Sequence, residues 1–154
     1  MAVVLGLQAF TCINSGTTAA PVWETITNIK DETLNMETAL SDITTRAANG
    51  WRLQVGTLSE GTVDGGMIYD TEDTVGFVPI QTAFFDKSRV LMGFFDGDPN
   101  GTDNTYNVLI GGFSVTNFSI NRQLEEAMMV DTTFTVREDD EGNGPQWITV
   151  TNTP

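Results

Sequence analysis

The chain has 154 residues and a mass of 16.7 kDa, the size of one ordinary domain. Its 21 Asp and Glu outnumber 7 Lys and Arg, and a formal charge of −14 argues against binding of free DNA or RNA and against attraction to anionic membranes. Histidine is absent and Cys12 is the only cysteine, which removes Ser-His-Asp and Cys-His catalysis, His-based zinc or haem sites, Cys-cluster metal sites and an internal disulfide.

The first extended segment is expected over Val3 to Ile13, ahead of a turn at Asn14-Ser15-Gly16. A second strand follows, with Trp23, Thr25, Thr27 and Ile29 on one face. Lys30 to Gly50 holds scattered apolar residues (Leu34, Met36, Leu40, Ile43) without a sustained strand period and closes on Asn49-Gly50, a strong turn signal. It reads as a strand that runs into a long projecting loop over residues 37–50, and loops of that length are usually functional. Trp51, Leu53 and Val55 then alternate with Arg52 and Gln54 as a half-buried strand, and Val63, Met67 and Tyr69 complete a hairpin with one core face and one polar face.

The single helix is expected over residues 74–86, capped by Asp73 or Thr74, with Phe77, Ile80, Phe84 and Phe85 at helical spacing and Pro79 as an awkward member. Val90 to Phe95 is apolar on both faces and predicts a strand buried between helix and sheet. Two more strands follow: the long run Tyr106 to Arg122, and Glu126 to Arg137, where Met128, Val130, Phe134 and Val136 face one way and Met129, Asp131, Thr133 and Thr135 the other. The tail, residues 138–154, is acidic and Gly-rich, with an apolar patch at Trp147-Ile148 suited to docking on a neighbour. With 23 threonines and no repeats, the chain reads as one mainly β domain over 1–154, with an N-terminal arm (1–22) and a C-terminal arm (138–154).

No apolar run approaches the ~20 residues of a membrane span. The N-terminus lacks the basic and apolar regions of a signal peptide, so synthesis in a reducing cytoplasm is expected, where the triplets at Asn100 and Asn117 carry no glycosylation meaning. The sharpest local motif is Asp96-Gly-Asp98-Pro-Asn100-Gly-Thr-Asp103, which matches the first half of a calcium loop. The closing Glu would fall at Asn107, and the flanks read as strands, so the same residues also suit a hairpin loop. Glu125 and Glu126 are adjacent on an expected strand and diverge, whereas Glu60 and Asp64 can converge without other marks of a pocket. Glu138 to Glu141 reads as a solvated run. No P-loop, dinucleotide fingerprint or nucleophile elbow occurs, so no cofactor and no enzymatic activity are expected. Charge is uneven, with 3 basic against 5 acidic residues over 1–58, 2 against 9 over 59–106 and 2 against 7 over 107–154; the near-neutral first third suits packing against other protein.

Ile29-Lys-Asp-Glu-Thr-Leu-Asn-Met-Glu, followed by Asp42-Ile-Thr-Thr-Arg-Ala-Ala-Asn-Gly-Trp51-Arg, resembles the first half of the major tail (tail tube) proteins of long-tailed siphophages. Phe113-Ser-Val-Thr-Asn-Phe-Ser, with Leu124-Glu-Glu-Ala and Val130-Asp-Thr-Thr-Phe-Thr-Val, resembles that family's last two strands, and the helix ending Ala83-Phe84-Phe85 sits where the family has one. The resemblance covers most of residues 24–137. It implies a β-sandwich or partial barrel with one flanking helix, six copies to a ring, and rings stacked into a hollow tube that conducts DNA. It further implies that the 37–50 loop reaches the adjacent ring, with Asp42, Arg46 and Trp51 in contacts between subunits, and that the terminal arms, Trp147 among them, link neighbours. Thr62, Asp64, Glu126, Asp131 and Thr133 become expected bore-lining residues. The expected partners are the chain itself, a tape-measure protein inside the tube, tail-tip and tail-terminator proteins, and double-stranded DNA in transit, all in the virion tail. The alternatives are the tube of a contractile tail or injection machine and a calcium-dependent β-sandwich adhesin or carbohydrate-binding module.

Overall fold

Alternating apolar and β-branched residues build eight strands and one helix in the computed structural model, which describes residues 3–101 and 105–152. The strands are β1 (Phe10–Asn14), β2 (Trp23–Thr25), β3 (Ile29–Asp42), β4 (Gln54–Ile68), β5 (Arg89–Phe95), β6 (Thr105–Asn121), β7 (Met129–Arg137) and β8 (Gln146–Thr151); α1 spans Phe77–Asp86. They pair in the order β2-β1-β5-β6-β7-β4-β3, all antiparallel, and β8 adds to β6.

The two ends of that order, β2 and β3, are separated in the chain only by Ile26, Thr27 and Asn28. Three residues span at most about 10 Å, so the sheet must curl until its ends nearly meet. This is a mainly β partial barrel with one helix, one of the two forms that the resemblance implies. A seam forms where Ile26 N donates to Thr11 O at 2.9 Å and the Thr11 hydroxyl donates to Glu32 Oε1. The core fills the inside of the curl: Met67, Met92, Phe113, Val130 and Phe134 are fully buried from the sheet, and Phe77 and Ile80 of α1 close it.

β6 holds the architecture together because one of its edges serves two partners. Residues Thr105–Ile110 pair with β8 and Gly112–Asn121 with β7, while β5 occupies the other edge. The return from β7 to β8 therefore crosses at Gly111-Gly112. A Cβ on Gly112 would stand 2.4 Å from the Glu138 carbonyl oxygen, so only glycine lets the backbones pass.

Several expected elements differ. The strand expected from Trp23 to Ile29 divides into β2 and β3 at opposite ends of the sheet, because its middle residues turn the seam. The helix begins at Phe77, with the Asp73 carboxylate accepting from Val75, Gly76 and Phe77 N at 3.0–3.2 Å. That start puts Pro79 in the first turn, where no intrahelical partner for an N–H is lost. The strand expected from Glu126 begins at Met129, and Glu126 lies in the preceding turn. The acidic tail is not a free arm: residues 146–151 fold back as β8.

The largest correction concerns residues 37–50. Strand β3 runs through Asp42 and pairs with β4 down to Gln54, so the projection is a β-hairpin rather than a loop. Leu34, Met36 and Leu40 do keep strand period, with Thr38 between them. Because they stay 39–61% exposed in their own chain, the pattern lacks the fully buried apolar stripe that marks a core strand.

Candidate functional site

The face of β3, β4, β7 and the second half of β6 that points away from the core is mostly polar, with Ile68 and Met129 paired at one end of it. Register places Thr33, Asp64, Thr133 and Asn117 in one row across four strands, Asn35, Thr62, Thr135 and Ser114 in the next, and Asp31, Gly66, Asp131 and Ser119 in a third. Thr133 Oγ1 donates to Asp64 Oδ1 at 2.8 Å and Asn35 Nδ2 to Asp64 Oδ2 at 3.3 Å, while Thr116 and Thr135 share a hydroxyl hydrogen bond of 3.0 Å. Thr116 is the extra residue of a β-bulge between Val115 and Asn117, which keeps both Ser114 and Asn117 on this face. Of the five residues expected to line a bore, Thr62, Asp64, Asp131 and Thr133 come together here and Glu126 does not.

Glu37 and Glu60 are directly opposite on the same face, a like-charge pair that costs stability in an isolated sheet. Sequence reasoning missed this pair, since only the register of two distant segments brings the carboxylates together. The face's cations sit at one end, where Arg89 and Arg137 both bond Glu138 Oε1, at 3.3 and 3.2 Å. Its own backbone and these two guanidinium groups hold the Glu138 carboxyl below the ordinary value.

Beyond Gly61, β4 leaves β7 and pairs with β3 alone. The seven residues Gln54–Glu60 extend the two-stranded arm about 23 Å at ~3.3 Å per residue. Leu40, Ile43, Leu53, Val55 and Leu58 are exposed along it, Leu58 at 81%, and Trp51 at 75% near its tip. A two-stranded ribbon is at best marginally stable in water, and this one exposes apolar side chains on both faces, Leu40 on one and Leu58 on the other, which suits contact with other protein. The tip is nonetheless internally ordered. Asp42 Oδ1 accepts from Thr44 N at 2.8 Å, Thr44 Oγ1 accepts from Leu53 N at 2.8 Å, and Asn49 and Gly50 take positive φ of 51° and 84° to close the turn. Hydrogen bonds from Thr44 lower the Asp42 carboxyl from its ordinary value, and Arg52 Nε lies 3.7 Å from it. Arg46 makes no ion pair among the described residues.

Trp147 projects from β8, 66% exposed, whereas its neighbour Ile148 packs into a second apolar cluster with Phe95, Tyr106 and Val108. In the calcium-like loop, Asp96 spends both oxygens on Asn107, accepting from its backbone N at 2.6 Å and its Nδ2 at 2.9 Å. Asp98 accepts from Asn100 N, and Asn152 Nδ2 donates to Pro99 O and Gly101 O. Asp103 lies outside the described residues. Among the described residues no group of three acidic or cysteine side chains is placed to hold a metal, and no helix is long and apolar enough to cross a membrane.

At the seam, Glu32 Oε2 is buried with no hydrogen-bond partner among the described residues. Burial raises the Glu32 pKa from its ordinary 4.5, and the Thr11 hydrogen bond opposes the rise only in part. The folded state then holds this proton more tightly than the unfolded state. The contribution to stability is complete below the unfolded value and lost as pH rises through the folded one. Glu32→Gln is therefore expected to flatten the fall in stability that begins above pH ~4.5 and to leave the variant at least as stable as wild type at pH 7. Thermal melts of both proteins across pH 3.5–8 check this; parallel curves would overturn it.

A scan against protein-family models finds no match, and no curated protein matches. Solved structures do. A chain in the virion of a native gene transfer agent particle superposes with a TM-score of 0.70 at 13% identity, covering 95% of this chain and 99% of that one. A chain of the SPP1 tail tube gives 0.71 at 10% identity over 99% of this chain and 81% of its own. A chain in the six-fold symmetrised baseplate of the anti-feeding prophage gives 0.64 at 6% identity over 98% and 97%.

The chain has the tail-tube fold. The likeness that the short motifs carry extends over 95–99% of this chain's backbone.

Proposed function

We propose that this protein is a non-enzymatic structural protein of a virion tail that assembles into rings, six copies to a ring, and that the rings stack into a hollow tube. The observation that carries the reading is the hairpin arm: a two-stranded ribbon with Trp51, Leu40 and Leu58 in solvent has no stable place except against another copy. Six-fold symmetry is supported by the anti-feeding prophage assembly, and a tail tube by the SPP1 chain. In this reading Arg46, Asp42 and Trp51 at the arm's end contact the neighbouring ring, and the tape-measure, tail-tip and tail-terminator proteins are the further partners. We read the tail as long and non-contractile on the motif resemblance alone, with the tube of a contractile tail or injection machine as the second reading, supported by the baseplate neighbour.

The polar face suits the bore. Asp31, Asp64, Asp131, Glu37 and Glu60 share it, and its two arginines are neutralised in part by Glu138. DNA carries one negative charge per ~1.7 Å of axis, so a basic wall would retain it and an acidic, hydroxyl-rich wall lets it pass. Negative-stain microscopy of the purified protein tests the assembly: rings or tubes support it, and a monomer at high concentration overturns it. Asp64→Lys with Asp131→Lys is expected to leave tubes intact and slow DNA ejection; unchanged ejection kinetics would remove these residues from the bore.

A further inference from the structure

The sheet curls shut without pairing its ends. β1 pairs with β2 and β5, β3 pairs with β4, and no backbone ladder joins β3 to β1 or β2 among the described residues. A cleft of about 690 Å³ runs along the seam instead, with Gly6, Phe10 and Thr11 on one side and Thr25, Ile29 and Glu32 on the other. Among the described residues, the bond from the Thr11 hydroxyl to Glu32 Oε1 is the only hydrogen bond between β1 and β3. Register sets Glu32 opposite Gly65, with Thr132 and Phe118 next in the row. Nothing in that row donates to Oε2: Gly65 has no side chain, Phe118 is apolar, and Thr132 gives its hydroxyl to Gly65 O at 3.2 Å. The oxygen is buried there without a donor among the described residues.

The titratable groups around Glu32 do not supply one. Lys30 and Asp31 border the same cleft, and Lys30 makes no ion pair among the described residues. Asp64 of β4 and Asp131 of β7 lie on the opposite face of the sheet. Before α1, Asp73 stands near Ile26 across Gly76, its carboxylate already accepting from three backbone N–H groups. Cys12, next to Thr11, is a buried thiol whose pKa burial raises, and Glu24 of β2 is exposed. A neutral carboxyl tolerates such a site, whereas a carboxylate needs donors for both oxygens, and water entering the cleft is the available source. We propose that the seam is a proton-controlled latch, shut on Thr11 while Glu32 carries its proton and opened to water along the cleft once that proton passes to solvent. The opening is local, because each side of the seam keeps its own strand pairing and Ile26 to Asn28 tether one end. It wets Ile26, 5% exposed when the seam is shut, and frees the root of β3, the strand that runs on into the arm. The latch belongs to the single chain and does not depend on the ring reading.

Shut, Glu32 holds its proton above the ordinary 4.5, because burial outweighs the Thr11 hydrogen bond; open, it returns to that value. Between the two values each pH unit raises the open-to-shut ratio about tenfold, and outside them the ratio is constant. Methyl NMR of the unassembled full chain with labelled isoleucines and a soluble paramagnetic agent reads the wetting of Ile26, with the fully buried Ile80 as internal control. From about pH 5 to 8 the relaxation enhancement at Ile26 is expected to rise at least about threefold in wild type and to stay flat at Ile80. The Glu32 carboxyl carbon is expected to titrate above its ordinary value with the same midpoint. Glu32→Gln keeps an acceptor for the Thr11 hydroxyl and cannot ionise, so its Ile26 profile is expected to be flat. A flat wild-type profile, the same rise in Glu32→Gln, or a Glu32 carboxyl that titrates at its ordinary value would each overturn the latch; the wild-type measurements decide it even if the variant fails to fold.

Discussion

Leu40→Asp combined with Leu58→Asp is expected to abolish tube formation and leave a folded, soluble chain. Both side chains are more than half exposed in the single chain, so their loss removes little of its own packing. In a stacked assembly each leucine buried at a contact contributes about 1.5–3 kcal/mol, and two per copy make about 3–6 kcal/mol. At 1.4 kcal/mol per decade this weakens each contact by about 10²- to 10⁴-fold, before the cost of burying two carboxylates is added. Sedimentation velocity reads the assembly and a thermal melt reads the fold. Tubes at wild-type yield would show that the arm's apolar side chains do not bridge copies; a melt lowered together with assembly would place them in the fold instead.

Gly112→Ala is expected to have the largest effect on the chain itself. A methyl group 2.4 Å from the Glu138 carbonyl oxygen meets backbone rather than a flexible side chain, so the β7–β8 return must move away from β6. Overpacking of this kind costs about 1–3 kcal/mol, occasionally more, and each kcal/mol lowers Tm by about 2–4 °C in a domain of this size. Because the β8 pairing begins just beyond that crossing, proteolysis should cut residues 138–151 in the variant well before the rest of the sheet. A melt within a degree of wild type would mean that the crossing has room the geometry denies it.

The polar face shows what was legible and what was not. Alternation along residues 129–137 separates Val130, Thr132 and Phe134 from Asp131, Thr133 and Thr135, and the structure keeps that division. Alternation along 62–67 does the same for Val63 and Met67 against Asp64. That these two segments adjoin, with Asp64 across from Thr133, is a matter of register between strands more than sixty residues apart. Single-sequence periodicity carries no information of that kind. Glu126 was misplaced because strand boundaries depend on where pairing stops rather than on composition. The arm differs from the expected loop for the opposite reason. Its strand pattern is present, but its apolar side chains stay largely exposed in the single chain, and a pattern without a buried face resembles a loop.

By itself the sequence determined the class of the molecule, mainly β with one helix, expected over 74–86 and found over Phe77–Asp86, and its acidity set the expectation against tight DNA binding. These follow from residue types, spacing and net charge, which are local or additive properties. Only the tertiary structure decided that β2 and β3 close a seam, that β6 gives one edge to both β7 and β8, that residues 37–42 extend a hairpin arm, and that Glu32 Oε2 is buried at that seam. Each of these depends on which distant segments share backbone hydrogen bonds. The chain's own alternation leaves that choice open, and it is made by the few arrangements that bury Met67, Phe113 and Phe134 together while leaving room at Gly112 for the chain to cross.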